Sequence, residues 1–254
     1  MSVGAAGFFG KLPTHGDFIS RDLPSHFIDI WDNWLQLFVS TTQGQLGEEW
    51  LDIYLTSPIW RFVFSEGVVD EHVWAGVMLP SVDKVGRYFP FSIVAPLAGS
   101  ANGLELLTEH QAWFEEIEDI ALQALDGQYD LDSLLDAINM VADIQSSAYE
   151  KDPSVLGGGA PTSPLLVRTA SPTQGLQAAM PALLDAALKN SYASYSAWAT
   201  LGSDYVEPCI FVARGLPTTS GASSLLEGRW DEWGWPEPYL LLTQPDQPED
   251  SENE

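Results

Sequence analysis

The chain has 254 residues, of which 45% are hydrophobic and 18% are charged, and its formal net charge at pH 7 is −26. This composition is typical of a globular protein and excludes disorder for the bulk of the chain. Ten basic residues against 36 acidic ones exclude a broad basic surface for nucleic acid and argue against docking on anionic lipid.

In the first hundred residues we predict a strand at 7–10, a turn-rich loop at 11–17, helices from Ser25 and at 47–55, and strands at 59–64, 73–79 and 89–96. The first helix is indicated by aromatic residues that recur with helical spacing after Pro24-Ser25, which we take as its N-cap. The last three strands have short links. These links indicate an antiparallel meander, because parallel crossovers need a dozen residues or more.

In the remainder we predict helices at 107–127, 131–145 and 174–189, strands at 191–200 and 208–213, and a short helix near Ser223. The fold class is therefore α+β: a mainly antiparallel central sheet of about five to six strands with helices packed on its faces. We expect one domain over 1–244. The Gly- and Pro-rich loop at 153–164 is the candidate junction if two subdomains exist, and the acidic segment 245–254 is expected to be a disordered tail.

The single cysteine, Cys209, excludes an internal disulfide framework and fits a reducing compartment. It lies in an apolar run that predicts a buried strand, so we expect a core thiol and not a nucleophile. Residues 1–10 lack the positive charge of a signal peptide, and the longest uncharged stretch is broken by prolines and glycines. We therefore expect a cytoplasmic protein with no membrane insertion.

Two charged loops framed by glycine and proline carry the candidate binding residues. These residues are Lys11, His15 and Asp17, with Arg21 just beyond the first loop, and Asp83, Lys84 and Arg87 in the second. Both loops contain both charge signs, and we predict that they form part of one exposed face that binds a protein partner. The alternative is purely structural: polar side chains that bond to the loop backbone and shape rigid turns.

Motifs for catalysis fail on spacing or residue type. Gly10-Lys11 lacks the earlier glycine and the following Ser or Thr of a phosphate-binding loop, and no nucleophile elbow, zinc-protease pair or paired-cysteine motif occurs. His15, Asp17 and Asp83 remain as candidates for hydrolase chemistry, provided that they converge in one concave pocket. We expect no catalytic residue, no cofactor and no metal.

Several blocks closely resemble the TagF (ImpM) family of type VI secretion-associated proteins. They are GFFGKLPTHGDF at 7–18, RDLP at 21–24, WDNWLQ at 31–36, YLTSPIWRF at 54–62 and WAGVMLPSVDKVGRYFP at 74–90. The resemblance is dense over residues 7–96 and looser beyond residue 100, where Ala197 and Ala199 replace bulkier residues of the family pattern.

This resemblance implies a post-translational repressor that holds back assembly or firing of the type VI secretion system. It also implies a cytoplasmic partner, the forkhead-associated scaffold protein of that system, and a fold similar to longin-type or profilin-like adaptor domains. A repressor of this kind binds its target and has no enzymatic activity. We expect it to be a monomer or a weak dimer.

Overall fold

The computed structural model describes residues 4–98, 100–141, 144, 165–166 and 175–241. The strands are β1 (Gly7–Gly10), β2 (Ile19–Arg21), β3 (Trp60–Phe64), β4 (Val73–Leu79), β5 (Phe91–Leu97), β6 (Tyr195–Thr200) and β7 (Cys209–Arg214). The helices are α1 (Ser25–Leu46), α2 (Trp50–Leu55), α3 (Gly103–Glu109), α4 (Gln111–Leu125), α5 (Leu131–Met140), α6 (Gly175–Tyr192) and α7 (Ser224–Glu227). None of the described helices is long and apolar enough to cross a membrane.

All seven strands form one sheet in the order β2-β1-β5-β4-β3-β6-β7, and every neighbouring pair is antiparallel. The predicted α+β class and the meander of β3, β4 and β5 are confirmed. The predicted number of strands is wrong, because the sheet has seven and not five to six. The strand that the sequence analysis missed is β2, whose three residues are too few to show an alternating pattern.

The sheet has a hydrophobic core on each face. One face of β3 contributes Phe62 and Phe64 to an aromatic core beneath α1, where the Trp31 ring lies 5.0 Å from Phe62. The intervening residue Val63 points to the other face, which packs beneath α3, α4 and α5. This alternation follows from the two-residue period of a strand, and it explains why nearly every residue of β3 to β5 is buried.

Several predicted boundaries change. The helix predicted at 107–127 is two helices that meet at His110, and residues 191–192 belong to α6 and not to the following strand. Pro24 occupies the N-cap position of α1, but no side chain caps that helix. The predicted loop at 153–164 and the predicted tail at 245–254 lie outside the described residues.

The environment of Cys209 differs from the prediction. Cys209 is half-buried and not buried, because β7 is an edge strand. Partial burial, with a smaller contribution from the Glu207 carboxylate, raises the pKa of the Cys209 thiol to about 11. A thiol with such a pKa is mostly protonated at neutral pH, and the thiol is a poorer nucleophile than the thiolate.

Candidate functional site

The two predicted loops leave the sheet at the same end. The first loop follows β1 and the second connects β4 to β5; Gly10 at the end of β1 and Leu79 at the end of β4 both pair with Phe91 at the start of β5. Residues 11–18 and 81–88 are therefore brought side by side by the strand order. We call these two segments together the loop face.

Asp83 is the centre of the contact between the loops. One carboxylate oxygen accepts hydrogen bonds from the Lys11 ammonium at 3.0 Å and from Arg87 Nε at 2.6 Å. The other accepts from the backbone N–H groups of Val85 at 3.0 Å and Arg87 at 2.9 Å. Burial alone would raise the pKa of the Asp83 carboxyl, but these four donors, two of which belong to cations, hold it well below its usual range.

Lys11 is buried together with Asp83. The side chain of Lys11 is only 6% exposed and that of Asp83 is fully buried. The Phe18 ring covers the ammonium group, with Nζ 4.9 Å from the ring centroid, and Phe18 packs edge-on against Phe89 at 4.8 Å. The attraction of the ammonium group to the carboxylate and to the aromatic ring offsets much of the solvation free energy that the cation loses on burial.

The backbone of one loop also bonds directly to the other. Lys84 N–H donates to His15 O at 2.9 Å, and the Arg87 guanidinium donates to Gly16 O. Within the second loop, Gly86 N–H closes a tight turn on Asp83 O at 3.0 Å. Gly86 has φ +86°, which favours glycine at the tip of this turn. The loop face is therefore held rigid by both backbone and side-chain bonds.

A buried tyrosine supports the second loop from below. The Tyr54 hydroxyl, on α2, donates to Ser81 O at 3.1 Å and accepts from Ser81 N–H at 3.0 Å. Ser81 Oγ in turn donates to Lys11 O at 2.7 Å, so the support extends to the first loop. Residue type alone did not identify Tyr54 or Ser81, because neither belongs to a charged pattern.

The outer surface of the loop face is mixed in character. Val85 is 69% exposed and Phe18 is 50% exposed. The Asp17 side chain is fully exposed and that of Arg87 is 57% exposed, with 3.9 Å between their charged groups. Lys84 is also exposed. This mixture is compatible with protein binding, since non-obligate interfaces are about as apolar as the rest of a protein surface. The sequence analysis overlooked Phe18 and Val85, since isolated apolar residues in loops carry no distinguishing pattern.

The predicted site residues thus separate into three groups. His15, Asp17, Lys84 and Arg87 lie at or near the surface of the loop face. Lys11 and Asp83 belong to the same cluster but are buried, so the expectation that they are exposed contact residues is corrected: they hold the loops together. Arg21 is on β2, where its guanidinium donates to Ser20 O at 3.0 Å, and no described contact joins it to the two loops.

The three candidate hydrolase residues all belong to the loop face, where Arg87 ion-pairs with both Asp17 and Asp83. His15 Nδ1 lies 2.9 Å from Thr14 Oγ1, and the Asp17 carboxylate is open to solvent. All four donors of Asp83 belong to Lys11 or to its own loop. Among the residues that the structure describes, no hydrogen bond links the side chains of His15, Asp17 and Asp83 to one another.

A second polar cluster lies in the turn between β3 and β4. Ligand-type atoms of Asp70, Glu71 and His72 all lie within 4.8 Å of one another, which is compatible with a metal ion. The Asp70 carboxylate also accepts hydrogen bonds from Trp74 Nε1 at 2.9 Å and from His26 Nε2 at 2.7 Å. These bonds already account for Asp70 as a structural link between the turn and α1.

The fold and the loop face define an α+β domain with a rigid, mixed-polarity surface at one end of its sheet. Residues 7–141, more than half of the chain, match the family described as the TagF N-terminal domain, type VI secretion system-associated. The chain therefore belongs to the TagF family and is a type VI secretion-associated protein. Both loops lie within the matched region.

The structure comparison agrees with this assignment. The chain is similar to the crystal structure of PA0076 from Pseudomonas aeruginosa PAO1, with 30% sequence identity and a TM-score of 0.72. The similarity covers 96% of this chain and 100% of PA0076. A search of curated proteins found no match.

Proposed function

We propose that this protein is a negative regulator of type VI secretion that acts by binding a cytoplasmic component of the system. The proposed partner is the forkhead-associated scaffold protein, and the proposed contact surface is the loop face. Family membership supports the link to secretion. The hydrogen-bonded loops that carry Phe18, Val85, Lys84 and Arg87 support a binding role, because loops that are ordered before binding lose less entropy when a partner docks.

The loop face is also distinctive in charge. The chain carries a net charge of −26, yet residues 11–18 and 81–88 contain three cations, Lys11, Lys84 and Arg87, and only two carboxylates. This local balance differs from the acidic remainder and favours one orientation of a docking partner. The hydrolase alternative receives no comparable support, because no described hydrogen bond joins the side chains of His15, Asp17 and Asp83.

The test is a direct binding measurement between the purified chain and the purified scaffold protein. Val85→Asp places a charge in the exposed apolar part of the loop face and should weaken binding about tenfold or more. Leu37→Asp is a matched control, since Leu37 is 47% exposed on α1 and the charge change is identical. Equal affinities of both variants and the wild type would place the interface elsewhere, and no binding by the wild type would remove the scaffold as the partner.

A further inference from the structure

Among the residues that the structure describes, no hydrogen bond pairs the backbone groups at the outer edge of β7. Gly215 N–H donates to Ser194 O across the β6–β7 pair, and Ser65 N–H donates to Tyr195 O across the β3–β6 pair. Backbone groups of successive residues in an antiparallel strand point to opposite sides. With the observed register, Cys209, Phe211 and Ala213 therefore bond to β6, while the N–H and C=O groups of Ile210 and Val212 point away from the sheet.

This edge lacks the protection that most edge strands have. None of residues 209–213 is charged or is proline, and Ile210 is 59% exposed. No described hydrogen bond satisfies the outward backbone groups with another part of the protein. One face of β7 is nevertheless well anchored, since the Phe211 ring packs against Trp235 at 4.8 Å. An ordered, open edge whose only charge is on its last residue, Arg214, is a template for pairing with another strand.

The opposite edge of the sheet cannot serve the same purpose. β2 is only three residues long, half the length of β7. The next residue, Asp22, has φ +55°, which ends the extended conformation. A second copy could therefore not add its β7 to β2 over the full six residues. Pairing of β7 with β7 about a two-fold axis remains, and this closed arrangement uses the same surface on both copies.

We propose that the protein forms a weak homodimer through antiparallel pairing of β7 with β7 of a second copy. The outward-facing residues are even-numbered, so a two-fold axis at Val212 places Val212 opposite Val212 of the partner subunit. Ile210 then lies opposite Arg214 of the partner subunit. The aliphatic part of that arginine covers the exposed Ile210, and all outward backbone groups from 210 to 214 are paired. This inference does not depend on the proposed regulatory function.

The net charge of the chain determines how strongly this dimer associates and how its association depends on salt. Two bodies with a formal charge of −26 each repel one another, and a pair of six-residue strands buries little surface. Association should therefore be weak, and added salt should strengthen it, because salt screens the repulsion. An association driven by opposite charges would respond to salt in the reverse direction.

Analytical ultracentrifugation over a range of protein and NaCl concentrations tests the proposal. We expect a monomer–dimer equilibrium that shifts toward dimer with salt, and about tenfold weaker association for Ile210→Lys. The control is Leu122→Lys, at a 45% exposed position on α4, which reduces the negative charge equally. If charge alone mattered, both variants would associate more strongly than the wild type.

Hydrogen exchange locates the contact. The amides of Ile210 and Val212 should become protected as the protein concentration rises, whereas those of Cys209 and Phe211 are protected by β6 at every concentration. Val212→Pro removes an outward donor without removing a bond to β6 and should reduce dimer formation. A protein that stays monomeric at millimolar concentration and high salt overturns the proposal. A dimer in which the amides of Ile210 and Val212 exchange as fast as in the monomer would also overturn it. Protection of the β7 amides only when the scaffold protein is added would overturn it as well, because the edge would then bind the scaffold and not a second copy.

Discussion

Lys11 Nζ lies 3.0 Å from Asp83 Oδ2, and this buried ion pair joins two loops that are 72 residues apart in the chain. The pair forms where the ends of β1 and β4 meet the start of β5. At this position the ion pair links the two loops, and the pattern of charges in the sequence does not show this link. It sets the spacing of the two loops, and through that spacing it sets the arrangement of the exposed side chains of the loop face.

Removing the buried cation should destabilise the protein. In Lys11→Met the hydrophobic stem is kept, but the Asp83 carboxylate loses one of its two charged partners while it stays buried. We expect thermal unfolding to occur roughly 5–10 °C lower, because breaking a buried pair from one side leaves a charge poorly compensated. Lys84→Met is the control and should leave the Tm nearly unchanged, since Lys84 is exposed. Equal Tm values for both variants would show that the ion pair does not hold the loops.

A pH dependence should arise from Asp70. Burial acts to raise the pKa of this carboxyl, but bonds from Trp74, from the His72 backbone and from the His26 imidazole, together with the His72 imidazole 3.2 Å away, lower it to about 2. A folded-state pKa below the ordinary 3.8 means that the group stabilises the fold above pH 3.8. That contribution is lost as the pH falls from about 4 toward 2.

The variant Asp70→Asn isolates this contribution. Its free energy of unfolding, measured by urea denaturation at several pH values, should be lower than that of the wild type at neutral pH. The difference between the two should shrink between pH 4 and pH 2. A difference that stays constant over this range would mean that the Asp70 carboxylate contributes through packing and not through its charge.

Much of the fold could be predicted because its signals are local. The central strands β3, β4 and β5 are mostly apolar runs between turns, and α1 shows its aromatic stripe in the helical period. β2 is set by pairing with β1 and has no pattern of its own. The half-buried state of Cys209 depends on which strand lies at the edge of the sheet, and this is a property of strand order that single-strand patterns do not contain.

The sequence indicated which loops carry the candidate site residues but not which of those residues are buried. Charged residues between Gly and Pro marked both loops correctly, and the structure brings the loops together. Residue type could not show that Lys11 and Asp83 are buried, because burial depends on Phe18 covering the ammonium group and on the donors that surround the carboxylate. Arg21 was grouped with the loops by its nearness in sequence, yet it extends along β2 and makes its contact there.

The last prediction is that the protein represses by stoichiometric binding without turnover. His15 is the remaining candidate for acid–base work, and its imidazole contacts Thr14 and no carboxylate among the described residues. A catalytic base needs a third group that orients it, and among the described residues no carboxylate bonds to the His15 imidazole. The purified protein should therefore show no phosphatase, protease or nucleotidase activity, and any loss of repression in His15→Ala should be matched by an equal loss of binding to the target. In a reconstituted assay, repression should increase with the ratio of this protein to its target and saturate near equivalence. Repression at far fewer molecules than targets, abolished by His15→Ala while binding is retained, would instead identify an enzyme.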